Sequence, residues 1–314
     1  MPKTTEALRE ELEALYRSRY ASKIDHFFTE ELLNHQPDCC SVSDEYIFLM
    51  NEAGSYYRGI SQFDRSISFF QSLAQTMERF DMGASPAYAT VLNNLAGSYR
   101  MAGVLDEAEQ TFLHSIAVYE AAGAQTSFGY ISAVNNLALC YQAKKEYQKA
   151  LTYEQKALAL TEEQALGLPL LATAYSNLAN MYEGLGDHTA ALEAIQKSIA
   201  LFEEADDPHS PAYTGALYTQ ACLYFQDRRF EEALSLYQLV MTLTEQHFGR
   251  NADFSSAARG AAMSAHALGK LQHAVDYASQ ACTLDAALFG KDSPRYAASS
   301  ALVSQYRDEV SHAQ

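Results

Sequence analysis

At 314 residues the chain has enough material for two globular domains or one extended repeat array. Apolar residues make up 48% and charged residues 19%, which excludes a disordered chain, and no stretch approaches the ~18 uninterrupted apolar residues of a membrane span. Twenty-two Lys and Arg against 39 Asp and Glu leave a formal net charge of −17, a field that repels phosphate backbones and anionic headgroups and so argues against nucleic acid and membrane as partners.

In chain order, residues 1–45 open with Met-Pro-Lys-Thr-Thr-Glu, which lacks the basic-then-apolar layout of a secretory signal; we expect a cytoplasmic protein. Leu8, Leu12 and Leu15 lie at helical spacing, and a second helix is expected from about Lys23 to Asn34, before Pro37. These two form an N-terminal helical cap. From residue 46 the chain repeats itself. Asn93-Asn94-Leu95-Ala96-Gly97-Ser98-Tyr99 recurs as Asn135-Asn136-Leu137-Ala138-Leu139-Cys140-Tyr141 and as Ser176-Asn177-Leu178-Ala179-Asn180-Met181-Tyr182. The same register reaches Tyr57 upstream and Tyr224 and Ala265 downstream, so six copies follow one another every 41 or 42 residues.

Nine residues after each of these anchors stands a small residue: Ser66, Ala108, Ala150, Ala191, Ala233 and Ala274. A small side chain there lets two helices approach closely. In the second copy, Tyr88, Val91, Leu92, Leu95, Ala96 and Tyr99 mark one helical face, and Leu105, Ala108, Phe112, Ile116 and Tyr119 mark another. Between them Met101-Ala102-Gly103-Val104 supplies a glycine able to end the first helix. Each unit therefore reads as a helical hairpin. Ser85-Pro86, Ser210-Pro211 and Ser293-Pro294 recur in phase, each placing a serine N-cap before a proline at the first helical position. A lone final helix is expected over Pro294–Val310, with Val303, Tyr306 and Val310 on its packing side and Ser299, Ser300 and Arg307 elsewhere. The expected organisation is a cap over 1–45, an array over 46–293 and a closing helix and tail over 294–314.

The motif resembles the tetratricopeptide repeat family, whose unit reads Trp-x2-Leu-Gly-x2-Tyr, then Ala-x3-Phe, then Pro. Leu95-Ala96 with Tyr99, then Ala108 with Phe112, fits this pattern, as does Leu178-Ala179 with Tyr182, then Ala191 with Ile195. Tryptophan is absent; Met50, Leu92, Val134, Tyr175, Leu217 and Ala258 take its place, and the closing proline is missing. The period exceeds the family's standard of about 34 residues by roughly one turn per helix. The chain is thus similar to the longer variety found in kinesin light chains and bacterial peptide-sensing regulators. This resemblance implies an all-α fold: a right-handed superhelical solenoid of about six hairpins, closed by a helical cap at each end.

The resemblance also implies a concave face, lined by the first helices, that holds extended peptides or protein segments. Transferring the groove pattern marks Asn93, Asn94 and Arg100 in the second repeat, Asn135, Asn136 and Gln142 in the third, and Asn177 and Asn180 in the fourth. Tyr218 and Phe225 follow in the fifth and Arg259 in the sixth. Carboxamides carry both donor and acceptor and can grip a peptide backbone; the arginines can meet a ligand carboxylate. Equally, an asparagine at these positions can bond a neighbouring helix, and Tyr218 and Phe225 can belong to the core.

Other chemistry lacks support in the residues. There is no Gly-x-Gly-x-x-Gly, no complete phosphate loop, no Gly-x-Ser-x-Gly, no His-Glu-x-x-His and no Cys-x-x-Cys. Cys39, Cys40, Cys140, Cys222 and Cys282 are expected as free thiols, while His266 with His273 and the Asp206-Asp207-Pro208-His209 loop fall short of four zinc ligands. We expect no enzyme, no cofactor and no metal, but an interaction scaffold. The alternative is a peptide-sensing regulator in which a groove-bound signal repositions the N-terminal helices, although residues 1–45 are short and acidic for a DNA reader. Pairing of two arrays through their end helices is compatible with the sequence.

Overall fold

The computed structural model describes residues 3–18, 20–207 and 209–313. Met1 and Pro2, which begin the N-terminal sequence considered above, and Pro208 of the acidic loop lie outside them. The described residues form fifteen α-helices and no strand. The chain divides into two compact units, Met1–Leu160 and Thr161–Gln314.

The first unit opens with α1 (Thr5–Ser18) and α2 (Ala21–Asn34), followed by three hairpins: α3 (Asp44–Gly59) with α4 (Phe63–Arg79), α5 (Pro86–Met101) with α6 (Leu105–Ala121), and α7 (Phe128–Ala143) with α8 (Tyr147–Glu163). Leu8 and Leu12 of α1 join Ile24, Phe27 and Phe28 of α2 in covering Leu49, Ala53 and Tyr57 of α3. Each large apolar side chain buried in this way contributes about 1.5–3 kcal/mol, so the N-terminal pair closes the first hairpin. Within this unit α3 packs on α5 and α5 on α7, placing the first helices of the hairpins side by side.

The second unit holds α9 (Leu168–Leu185) with α10 (His188–Glu204), α11 (Pro211–Gln226) with α12 (Phe230–Phe248), and α13 (Ala252–Ala267) with α14 (Leu271–Phe289), then α15 (Pro294–Ala313). Here α9 packs on α11 and α11 on α13, while α15 lies on α14.

The repeat anchors work as the spacing predicts. Ser66, Ala108, Ala150, Ala191, Ala233 and Ala274 are all fully buried. The Ser66 hydroxyl also donates to the Gly54 carbonyl at 2.7 Å, which is why a hydroxyl is tolerated at this crossing. Ser85, Ser210 and Ser293 accept backbone N–H bonds from Tyr88, Ala212 and Tyr296. Ser43 and Ser127 cap α3 and α7 in the same way without a following proline. Gly103 adopts φ +79° where α5 ends, a conformation disfavoured for other residues.

One expectation fails in α15. Ser299 is fully buried on the packing side with Tyr306, rather than away from it. Its hydroxyl donates at 2.6 Å to Asp285, a carboxylate fully buried in α14. Apolar periodicity misses such a position because the buried partner is itself charged.

Candidate functional site

The predicted groove residues all lie on first helices: Asn93, Asn94 and Arg100 on α5; Asn135, Asn136 and Gln142 on α7; Asn177 and Asn180 on α9; Tyr218 and Phe225 on α11; Arg259 on α13. Asn93 is buried and the other ten are half-buried.

In the first unit the asparagines connect neighbouring helices. Asn94 donates through Nδ2 to Asn51 Oδ1 on α3 at 2.8 Å, and Asn136 donates to Asn93 Oδ1 on α5 at 3.1 Å. Asn51 precedes Asn93 by one period, so these are the same contact made twice. Asn136 also donates to Ser132 Oγ at 3.5 Å, whereas the Asn94 carboxamide, with two N–H donors and an oxygen, is oriented by its bond to Asn51 without being exhausted.

Beside this ladder lie two arginines in equivalent register, Arg58 and Arg100. Arg58 donates from Nη1 to the Asn94 carbonyl at 3.0 Å, over Gly97, where a Cβ would stand 3.0 Å from that nitrogen. Among the described residues neither guanidinium has a carboxylate within ion-pair distance, and Arg100 Nε is buried with no hydrogen-bond partner. Burial lowers the pKa of both, and the neighbouring Arg100 charge lowers that of Arg58 further. Two cations partly withdrawn from water without a counter-charge are the kind of group that a nearby anion stabilises. Sequence reasoning singled out Arg100 but not Arg58, which the 42-residue register alone could have found.

In the second unit the predicted residues meet different neighbours. Arg259 Nη1 lies 3.6 Å from Asp285 Oδ2, so this guanidinium already faces a carboxylate. The Phe225 ring packs on Phe230 with centroids 5.3 Å apart. Tyr218 lies 5.7 Å from the Tyr237 ring and borders a cavity of about 380 Å³; burial first, then the Cys222 thiol, pushes its pKa up to about 12. In the sixth repeat the place of Asn94 and Asn136 is taken by Gly260, where a Cβ would overlap the Tyr237 ring. The asparagine pattern has already ended at Thr219 in the fifth repeat, and at Gly260 the Tyr237 ring leaves no room for a side chain.

Two of the remaining polar candidates find partners. His266 pairs with Glu309 at 2.7 Å and stacks on Tyr306, while His209 bonds His247 at 3.1 Å. All five cysteines are free. Asp38, Cys39 and Cys40 form the one metal-compatible cluster among the described residues; it is exposed, and the Asp38 carboxylate already accepts the Cys40 and Ser41 backbone N–H groups. No described helix is long and apolar enough to cross a membrane.

A family model described as tetratricopeptide repeat matches residues 46–121, 88–163, 129–204 and 170–246, more than half of the chain. Among solved structures, nearly identical TPR-like repeats of a putative kinesin light chain from Podosopora anserina share 17% identity, with TM-score 0.54 over 63% of this chain and 93% of that one. A Rap protein complexed with competence and sporulation factor shares 14%, with TM-score 0.64 over 99% and 87%. Aspartyl phosphate phosphatase F from Bacillus subtilis shares 17%, with TM-score 0.64 over 92% and 70%. At these identities the likeness establishes the fold. No curated protein matches the sequence.

Proposed function

Since the chain belongs to the tetratricopeptide repeat family, we propose that it is a non-enzymatic protein-interaction scaffold that binds an extended peptide or protein segment along the first helices of its hairpins. The observation that carries the reading is the Arg58 and Arg100 pair, half-buried without a carboxylate beside carboxamides whose orientation is already set. A ligand carboxylate meeting Arg100 would neutralise that charge, while Asn94 and its neighbours bond the ligand backbone. Pre-oriented donors lower the entropy lost on binding. The net charge of −17 makes such a local cationic site selective, since the rest of the surface repels an acidic ligand.

The test is a pull-down from native cytosol by immobilised wild type, the Asn94/Asn136/Asn177 triple alanine variant and Arg100→Gln, each checked for an unchanged melting temperature. The proposal expects a partner retained by the wild type and lost from both variants. An identical retained set from all three refutes it.

A second reading, a peptide-responsive regulator, draws support from the Rap likeness, which spans 99% of this chain and so takes in α1 and α2 as well as the hairpins. It expects the radius of gyration in small-angle scattering to change when the captured ligand is added, whereas a static scaffold keeps its dimensions.

A further inference from the structure

The cavity beside Tyr218 lies at a position where the second and fourth repeats hold an aromatic side chain of their own. In the second hairpin Tyr119 of α6 is buried, and its hydroxyl bonds Thr90 Oγ1 of α5 at 2.7 Å. That hydroxyl reaches so far toward α7 that no Cβ would fit at Gly129. The fourth hairpin places Phe202 at the same register, also buried, and the first places Met77, while the third has Thr161 and the sixth Asp285. In the fifth hairpin each of these three partners has changed: Tyr119 corresponds to Thr244, Thr90 to Gly215, and Gly129 of the following helix to Asp253. The result is the cavity of about 380 Å³ between α11, α12 and α13, bordered by Gly215, Tyr218, Val240, Thr244, Phe248 and Asp253.

Two observations distinguish this cavity from a packing fault. Thr244 is fully buried, yet its Oγ1 has no hydrogen-bond partner among the described residues. A hydroxyl out of water and unpaired is disfavoured unless something else supplies the bond. At the other end stands the exposed carboxylate of Asp253, with the Phe248 ring, 40% exposed, at the rim. An added Cβ at Gly215 meets no atom within 4 Å, so the wall is open on that side. The volume falls at the small end of ligand pockets and suits one ring with a short substituent.

We infer that this cavity is a binding site for a phenol, either a small free one or the side chain of a tyrosine presented by a partner. A ring in the cavity lies between Val240 and Tyr218. Its hydroxyl enters first and shares a hydrogen bond with Thr244 Oγ1 at the buried end, supplying the partner that Oγ1 lacks. A carboxylate at the mouth favours a donor and disfavours an anionic ligand, which sets this site apart from the arginine pair of the first unit. The assignment does not rest on the groove reading.

The test uses the full chain and calorimetric titration with p-cresol, toluene and N-acetyltyrosinamide, together with Thr244→Phe, Gly215→Thr and Thr244→Val. The expected result is that p-cresol binds the wild type at least about tenfold more tightly than toluene. Thr244→Phe, which restores the residue type of the fourth hairpin, removes binding and raises the melting temperature. Thr244→Val weakens p-cresol about fivefold and leaves toluene unchanged. Should Thr244→Phe fail to fold, Gly215→Thr, which restores the residue of the second hairpin, serves the same purpose and is expected to weaken p-cresol at least about tenfold. N-acetyltyrosinamide binding alongside p-cresol identifies a presented tyrosine, and p-cresol alone a free phenol. No p-cresol binding, equal affinity for toluene, or binding that survives the filling variants overturns the assignment.

Discussion

Replacing Asp285 by alanine is expected to be among the most damaging single changes in the second unit. The carboxylate is fully buried in α14 and accepts hydroxyl bonds from Ser255 of α13 and Ser299 of α15, each at 2.6 Å, with Arg259 Nη1 at 3.6 Å. It therefore joins three consecutive helices. Hydrogen bonds to a charged group contribute about 1.5–3 kcal/mol each, and removing one member of a buried charged network costs about 3–5 kcal/mol because the others remain out of water. For a unit of this size that corresponds to a fall of roughly 10 °C in melting temperature. Urea unfolding followed by circular dichroism measures the loss. Asp285→Asn, which keeps an acceptor but drops the charge, should fall between the wild type and alanine. Combining Asp285→Leu with Arg259→Met, Ser255→Ala and Ser299→Ala should recover much of the deficit, since an apolar replacement of the whole network strands no polar group. A loss below about 1 kcal/mol for Asp285→Ala at unchanged denaturant slope would refute the reasoning.

Gly260→Ala should destabilise by about 1–3 kcal/mol through overpacking against Tyr237, a ring only 3% exposed, and Tyr237→Leu in the same chain should relieve most of that cost in the same unfolding assay. In the first unit Lys144 on α7's C-cap holds the carboxyls of Asp106 and Glu109 below the usual range, chiefly through its hydrogen bonds to them. A depressed carboxylate pKa contributes stability that is present above the ordinary value of about 4 and is lost as the pH falls through the lower folded value. The stability difference between wild type and Lys144→Met should accordingly be full at pH 6 and shrink below about pH 4; a difference that stays constant over that range would remove the ion pairs as its source.

The hairpin count, the caps and the close helix crossings were legible in the sequence because they rest on short-range rules. A serine three residues before its bonding N–H, a glycine at a left-handed turn and a small residue every 41 or 42 positions need no knowledge of distant contacts. Six copies of one pattern also supply their own alignment, and Ser66, Ala108 and their four counterparts prove to be fully buried. The candidate face was legible in part. Its residues lie on the first helices as the family pattern implies, but whether Asn94 points to a ligand or to Asn51 is decided across an interface between repeats. Register locates a residue; it does not say which neighbour reaches it first.

What only the tertiary structure decided are the places where one repeat differs from the rest. Thr244 reads as an ordinary helical threonine, and its meaning appears only when Tyr119 and Phe202 are seen filling the equivalent space. Asp285 draws no attention in the sequence, yet it is fully buried, with Ser255, Ser299 and Arg259 reaching it from helices before and after it. Arg100 is assigned to the groove by the family pattern and Arg58 is not singled out at all, and the lack of a carboxylate beside either half-buried guanidinium, whose pKa burial lowers, is visible only in the structure. Local propensity and period determine that a chain forms stacked hairpins. The polar atoms enclosed between them depend on side chains that meet from different repeats, and that meeting is a property of packing alone.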